Sequence, residues 1–133
     1  MTTEGYVNKK MDADVYQQRR VVIDMIYRAK RLLRASQGIE IPRVDVRITT
    51  PVNGEIACGK ARMQGNIIWI NEKYIKSRYL YQIVLHELCH TLWGIEHDEN
   101  NRLMHPNVDS KLKDSEAELL FIEYARKYHK VFN

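Results

Sequence analysis

His86-Glu87-Leu88-Cys89-His90 decides how this chain is read. It lies inside a segment, Ser77 to Trp93, whose Leu80, Ile83, Val84, Leu85, Leu88 and Leu92 recur at helical spacing. On a helix, side chains four positions apart differ by only about 40° in azimuth, so both imidazoles face one point in space. A glutamate directly after the first histidine faces the same cleft, within reach of a water there. An H-E-x-x-H run on a helix therefore points to a metal site with a carboxylate base beside it, and Gly94 is placed to end that helix.

Outward from this core the chain reads as one domain spanning residues 1–133. Asp14 to Ser36 predicts a first helix, with Val15, Val22, Ile23, Ile26, Tyr27, Ala29, Leu32 and Leu33 on its apolar side and Gly38 as its stop. Arg19, Arg20, Arg28, Lys30, Arg31 and Arg34 fill much of the remainder, a face that solvation explains first and contact with nucleic acid or a membrane second. Ile41 to Thr50 alternates as a strand with one buried face. Pro51-Val52-Asn53-Gly54 is a turn signal, Glu55 to Met63 a weaker strand broken or bulged at Gly59, and Gln64-Gly65-Asn66 a tight turn. Ile67 to Asn71 is a strand apolar on both faces. Asp114 to Lys130 closes the chain as a helix, with Ser115 and Glu118 at capping-box spacing and Leu119, Ile122, Ala125 and Tyr128 as its inner stripe. The expected architecture is α+β: a small twisted mixed sheet packed on an N-terminal helix and the H-E-x-x-H helix, with a C-terminal helix after them.

Composition narrows the setting. The formal net charge of +4 permits contact with nucleic acid without requiring it. No apolar run approaches the ~18–20 residues of a membrane span, so no membrane partner is expected. The polar start, Met1 to Lys10, lacks the apolar core of a secretory signal. With two cysteines, Cys58 and Cys89, a disulfide framework is not expected, which fits a reducing, cytoplasmic setting and a monomer.

A catalytic zinc takes three protein ligands and keeps a fourth position for water. His86 and His90 supply two, and after the turn at Gly94 the chain reaches His97 and then Leu103-Met104-His105-Pro106. Residues 86 to 106 resemble the metzincin clan of zinc peptidases, whose pattern is HExxHxxGxxH followed by a methionine-containing turn. The order of elements is more loosely similar as well. The resemblance implies one catalytic Zn2+ held by His86, His90 and His97, Met104 in the turn beneath it, and Glu87 as general base. It implies a sheet-edge strand beside the cleft, at Ile67 to Asn71, to which a substrate peptide adds. The chain departs from the pattern by one residue, since Thr91, Leu92 and Trp93 all stand between His90 and Gly94. Counted from His86, the third-ligand position falls on Glu96; either the helix runs one residue further and His97 ligates, or Glu96 does, as a carboxylate does in thermolysin-like sites.

The other candidates have plainer readings. Cys89 is expected in the core. Cys58 is a candidate thiolate for the open metal position, and Asp98 a candidate acceptor for a ligand's ring N–H. His105 and His129 are expected at the surface or behind the ligands, and Trp69 and Trp93 in the core, with Trp93 also a candidate for the cleft wall. The expected activity is that of a zinc-dependent endopeptidase acting on a protein or peptide. The rivals are a zinc-dependent hydrolase of nucleic acid, similar to ribosome-associated ribonucleases that carry a three-histidine run, and a non-catalytic module stabilised by zinc. Glu87 argues for peptide cleavage, because that position is not glutamate in those ribonucleases.

Overall fold

A computed structural model describes residues 6–8, 12–51 and 57–130. The elements run β1 (Tyr6–Asn8), α1 (Ala13–Gln37), β2 (Asp45–Pro51), β3 (Gly59–Arg62), β4 (Ile67–Asn71), a 3-10 turn (Glu72–Tyr74), α2 (Leu80–Trp93) and α3 (Asp114–Tyr128). The fold is α+β, as expected. The expected turn at Pro51-Val52-Asn53-Gly54 and the start of the Glu55–Met63 strand fall largely outside the described residues.

α1 begins where the Asp12 carboxylate accepts the Val15 N–H (3.0 Å) and ends at Gly38, whose left-handed φ of 65° lets its N–H return to the Arg34 carbonyl. Its buried stripe is Val15, Val22, Ile26, Ala29 and Leu33, which packs on β2, α2 and α3. Burying each of the larger side chains contributes about 1.5–3 kcal/mol of transfer free energy.

The sheet order is β1-β2-β4-β3, with β2 parallel to β4 and its other pairings antiparallel. This corrects the expectation that Ile67–Asn71 is the edge. The turn at Gln64-Gly65-Asn66 folds β3 back along β4 as a hairpin, so β3 takes the outer position and β4 is central. Burial on both faces of β4 follows from that: Ile68 and Ile70 enter the helix-side core, and Trp69 is buried on the opposite face.

α2 is shorter than the expected Ser77–Trp93. Ser77 Oγ accepts the Tyr79 N–H, and the helix proper begins at Leu80. It packs on β3, β4, α1 and α3. The Thr91 hydroxyl accepts the Ile67 N–H (2.9 Å) and donates to the Arg62 carbonyl (2.8 Å), which pins the helix to both ends of the hairpin turn.

The cap and stripe of α3 also differ from expectation. Glu116, not Glu118, turns back to accept the N-cap N–H, which belongs to Lys113 rather than Ser115. The buried residues are Ala117, Phe121 and Ala125, while Leu119 is 63% exposed and Tyr128 40%. Glu118 instead accepts the Tyr81 hydroxyl (2.6 Å) and meets Arg28 at 3.4 Å, and the Arg28 guanidinium lies 4.1 Å over the Tyr81 ring. Arg28 stays exposed but joins the three helices. Cys58 and Cys89 are both free, and among the described residues no helix is long and apolar enough to cross a membrane.

Candidate metal centre

The second half of α2 carries polar groups into a buried place. Glu87 is 5% exposed, His90 9% and Thr91 0%. Leu85 and Leu88 hold the opposite side of the helix in the core, so the helix cannot rotate these groups out without exposing its apolar stripe. At Trp93 the helix stops. Gly94 has φ 66°, its N–H bonds the His90 carbonyl (3.0 Å), and the Ile95 N–H bonds the Cys89 carbonyl (3.3 Å). A Cβ on Gly94 would also stand 3.0 Å from Gln64 Cγ. The reversed chain brings His97 back over the helix.

His86, His90 and His97 come together as one group whose ring nitrogens lie within 4.8 Å of one another. His86 Nε2 is 3.1 Å from His90 Nε2 and 3.3 Å from His97 Nε2. Among the described residues neither Glu96 nor a cysteine joins the group. The extra residue before Gly94 is thus absorbed by the end of the helix, and the geometry brings in the imidazole rather than the carboxylate.

Proton accounting shows what such a group fits. His86 Nδ1 lies 2.7 Å from the Leu103 carbonyl and His90 Nδ1 2.5 Å from the Ile95 carbonyl. A carbonyl oxygen only accepts, so each Nδ1 carries the proton and each neutral ring turns an Nε2 lone pair inward. Two lone pairs facing at 3.1 Å repel unless a cation stands between them. Protonating a ring is opposed: burial lowers the pKa of His86 to about 4 and that of His90 below its ordinary value. A metal ion is a cation that would fit there: tetrahedral metal–nitrogen bonds of ~2.0–2.1 Å set donor atoms about 3.3 Å apart, close to the 3.1 and 3.3 Å spacings made by His86 Nε2.

The loop from Ile95 to Asp109 supplies the support. Asn101 Oδ1 accepts the N–H groups of Leu103 (2.9 Å) and Met104 (3.1 Å), and the Met104 carbonyl accepts the Asp98 N–H (2.9 Å). Met104 is fully buried in the core. Gln82 grips the far end with both ends of its amide: Nε2 donates to the Asp109 carbonyl (3.0 Å) and Oε1 accepts the Asp109 N–H (2.9 Å). Asp98 does not serve a ligand ring; its Oδ1 accepts the Asn100 N–H. Backbone carbonyls fill that role because the turn already lies against the helix.

Beside the group lies a cleft of about 460 Å³, lined at one end by His86, Glu87 and His97. Burial pushes the Glu87 carboxyl up from its ordinary value to about 8. It lies against β3, where a Cβ on Gly59 would stand 3.2 Å from Glu87 Oε2 and 2.8 Å from the Trp69 carbonyl. β3 begins at Gly59, where a break was expected, and the absent side chain lets the sheet edge approach the carboxylate. Cys58 lines the same wall; its thiol hydrogen-bonds Tyr74 and burial pushes its pKa up, so it is a protonated neighbour of the group. Cys89 is buried in the core, also with a raised pKa.

Of the remaining candidates, His105 lines the cleft wall, its Nδ1 accepting the Asn107 N–H (3.1 Å). His129 accepts the Trp93 indole N–H at 3.4 Å, and Trp93 packs on Phe121 rather than on the cleft. No family model, curated protein or solved structure matches this chain.

Proposed function

We propose that the chain is a zinc-dependent endopeptidase of compact metzincin-like design, with His86, His90 and His97 holding one zinc ion and Glu87 as the general base. The observation that carries the reading is the pair of inward Nε2 lone pairs, held by carbonyl-bound Nδ1 protons beside a buried glutamate. A zinc ion, when bound, supplies Lewis-acid polarisation of a carbonyl and acidification of water.

The chain's own residues do the rest. Glu87 takes a proton from water at a carboxylate oxygen and returns it to the leaving amine, the task of a base tuned upward toward neutral pH. A positive ion beside it would draw that pKa back down, toward the ionised form that the base requires. The cleft of about 460 Å³ is lined by Gly59 from β3 and by His105 and Pro106 from the loop after α2. β3 is the strand whose outer edge is available for such a peptide to pair with. An open fourth position is supported by the group itself, since among the described residues only three side chains enter it. That weighs against a purely structural zinc plug, which takes four.

The test is metal analysis joined to turnover. The purified protein is expected to bind one zinc and to cleave casein but not RNA. Glu87→Gln is expected to keep the zinc and to lose about 100-fold or more in kcat. Full activity in that variant would overturn the mechanism, and RNA cleavage that depends on zinc would replace the substrate class.

A further inference from the structure

A second groove, of about 400 Å³, lies between α1 and the segment that leads into β2. Its floor is apolar, built from Ile23, Ile26 and Val44. Four cations, Arg19, Arg20, Lys30 and Arg43, and a single carboxylate, Asp45, line it, although the net charge of the whole chain is only +4. Tyr27 stands at the groove, 50% exposed.

The four cations are not equivalent. Arg19 is committed to the fold: its Nε donates to the Val46 carbonyl (2.8 Å) and its guanidinium lies 3.8 Å from Asp45. Arg20 pairs with Asp24 at 3.3 Å, but both side chains are more than 60% exposed, and exposed pairs of this kind exchange readily for a better anion. Lys30 and Arg43 form no ion pair with a described carboxylate; Lys30 hovers 6.0 Å over the Tyr27 ring instead. Three cations are thus available around an apolar floor with an accessible aromatic ring beside it.

That combination fits one chemistry best. A purely anionic ligand has no use for the apolar floor and the ring. A lipid bilayer is flat on the scale of this domain and meets protruding side chains rather than a groove. A strand of nucleic acid offers both halves: flat bases that stack on a ring or lie on an apolar floor, and phosphates spaced along a flexible backbone. A duplex keeps its bases paired and unavailable, so the strand must be single. We propose that this groove binds single-stranded nucleic acid, with a base laid between Tyr27 and the Ile23–Val44 floor and phosphates met by Arg20, Lys30 and Arg43. The site is separate from the metal cleft and does not depend on the metal.

The experiment is fluorescence anisotropy with the full chain and labelled oligonucleotides of about twelve nucleotides, oligo-dT and oligo-U, a length within the usual footprint of such sites. Three phosphate contacts predict that log affinity falls against log salt with a slope of about −2. The double variant Lys30→Glu, Arg43→Glu is expected to lose at least about tenfold in affinity and most of the salt dependence. A charge-matched control outside the groove, Lys76→Glu with Lys111→Glu, is expected to lose less than about threefold. Tyr27→Ala, at an exposed position that folding tolerates, is expected to weaken binding about tenfold while leaving the salt slope unchanged. Comparison of the DNA and RNA arms then identifies the strand.

Absence of binding by the unaltered protein at low salt would overturn the proposal. So would an equal loss in the control variant, which would mean diffuse charge rather than a site. Binding to phosphatidylserine vesicles that needs Lys30 and Arg43, with Tyr27→Ala silent toward oligonucleotides, would replace the strand with an anionic surface.

Discussion

His86 and His90 differ from His97 in how they are held. The first two stand on α2, one helical turn apart, with each Nδ1 bound to a carbonyl of the loop that follows. His97 stands on that loop, is exposed, and reaches the group through the left-handed turn at Gly94. Rotation of the helical pair is blocked by Leu85 and Leu88 in the core, whereas the loop residue is placed by backbone hydrogen bonds at either side of it. The difference teaches that the helix fixes two of the proposed ligands rigidly, while the third depends on the placement of an exposed loop. Metal affinity should therefore be divided unequally between the two halves.

The largest effect is expected on the helical half. His90→Ala removes a preorganised ligand and leaves one imidazole on the helix; zinc content is expected to fall to background. His97→Ala leaves the helical pair intact, and its zinc affinity, measured by competition with a chelator, is expected to exceed that of His90→Ala by about tenfold or more, equivalent to 1.4 kcal/mol. Glu96→Ala is expected to keep zinc unchanged, because Glu96 lies outside the group. Equal losses in the two histidine variants would break the comparison.

A smaller effect is expected at the join between the halves. Gly94→Ala places a Cβ in the left-handed region and against the Gln64 side chain, at a cost of about 1–2 kcal/mol. Thermal unfolding should register that cost, and zinc affinity should fall toward that of His97→Ala but not toward that of His90→Ala.

The smallest and most diagnostic effect concerns pH in the metal-free protein. His86 has a folded pKa below its unfolded value, so its contribution is present above pH ~6.5 and is lost as pH falls toward about 4. Glu87 has a folded pKa above its unfolded value, so its contribution is present below pH ~4.5 and is lost as pH rises through about 8. The metal-free protein should be most stable between these limits. Glu87→Gln should remove the alkaline limb alone: it should raise the melting temperature at pH 8 and leave it unchanged at pH 4.

How much of this was legible from residues alone follows the same division. Side-chain identity and period 3.6 located α1, its stop at Gly38, and the shared face of His86, Glu87 and His90, because those signals are local. The choice between Glu96 and His97 was not local. It depended on where α2 ends, and that is set by the Gly94 turn together with packing against Gln64. The carbonyls of Leu103 and Ile95 that orient the helical ligands have no signature, since every residue has a carbonyl. The strand order was misjudged because β4 reads as apolar on both faces whether it is central or lies beside a cleft. What decided it was the hairpin that puts β3 outside. Half of the expected inner stripe of α3 held, with Ala125 buried and Ile122 packed on the core; Leu119 and Tyr128 are apolar enough to be core but are exposed, because Phe121 meets Trp93 and fixes the rotation of the helix. Gly59 was read as a break or bulge, and β3 does begin there; what stayed hidden was the approach of Glu87 from α2, a long-range fact.

The central claim is a zinc ion held by three imidazoles with an open fourth position. X-ray absorption at the zinc edge of the loaded protein tests it most directly. The account predicts one zinc per chain with only nitrogen or oxygen neighbours at about 2.0–2.1 Å and multiple scattering from three imidazoles. A sulfur neighbour at about 2.3 Å, which would place Cys58 in the fourth position, or scattering from only two imidazoles would contradict it.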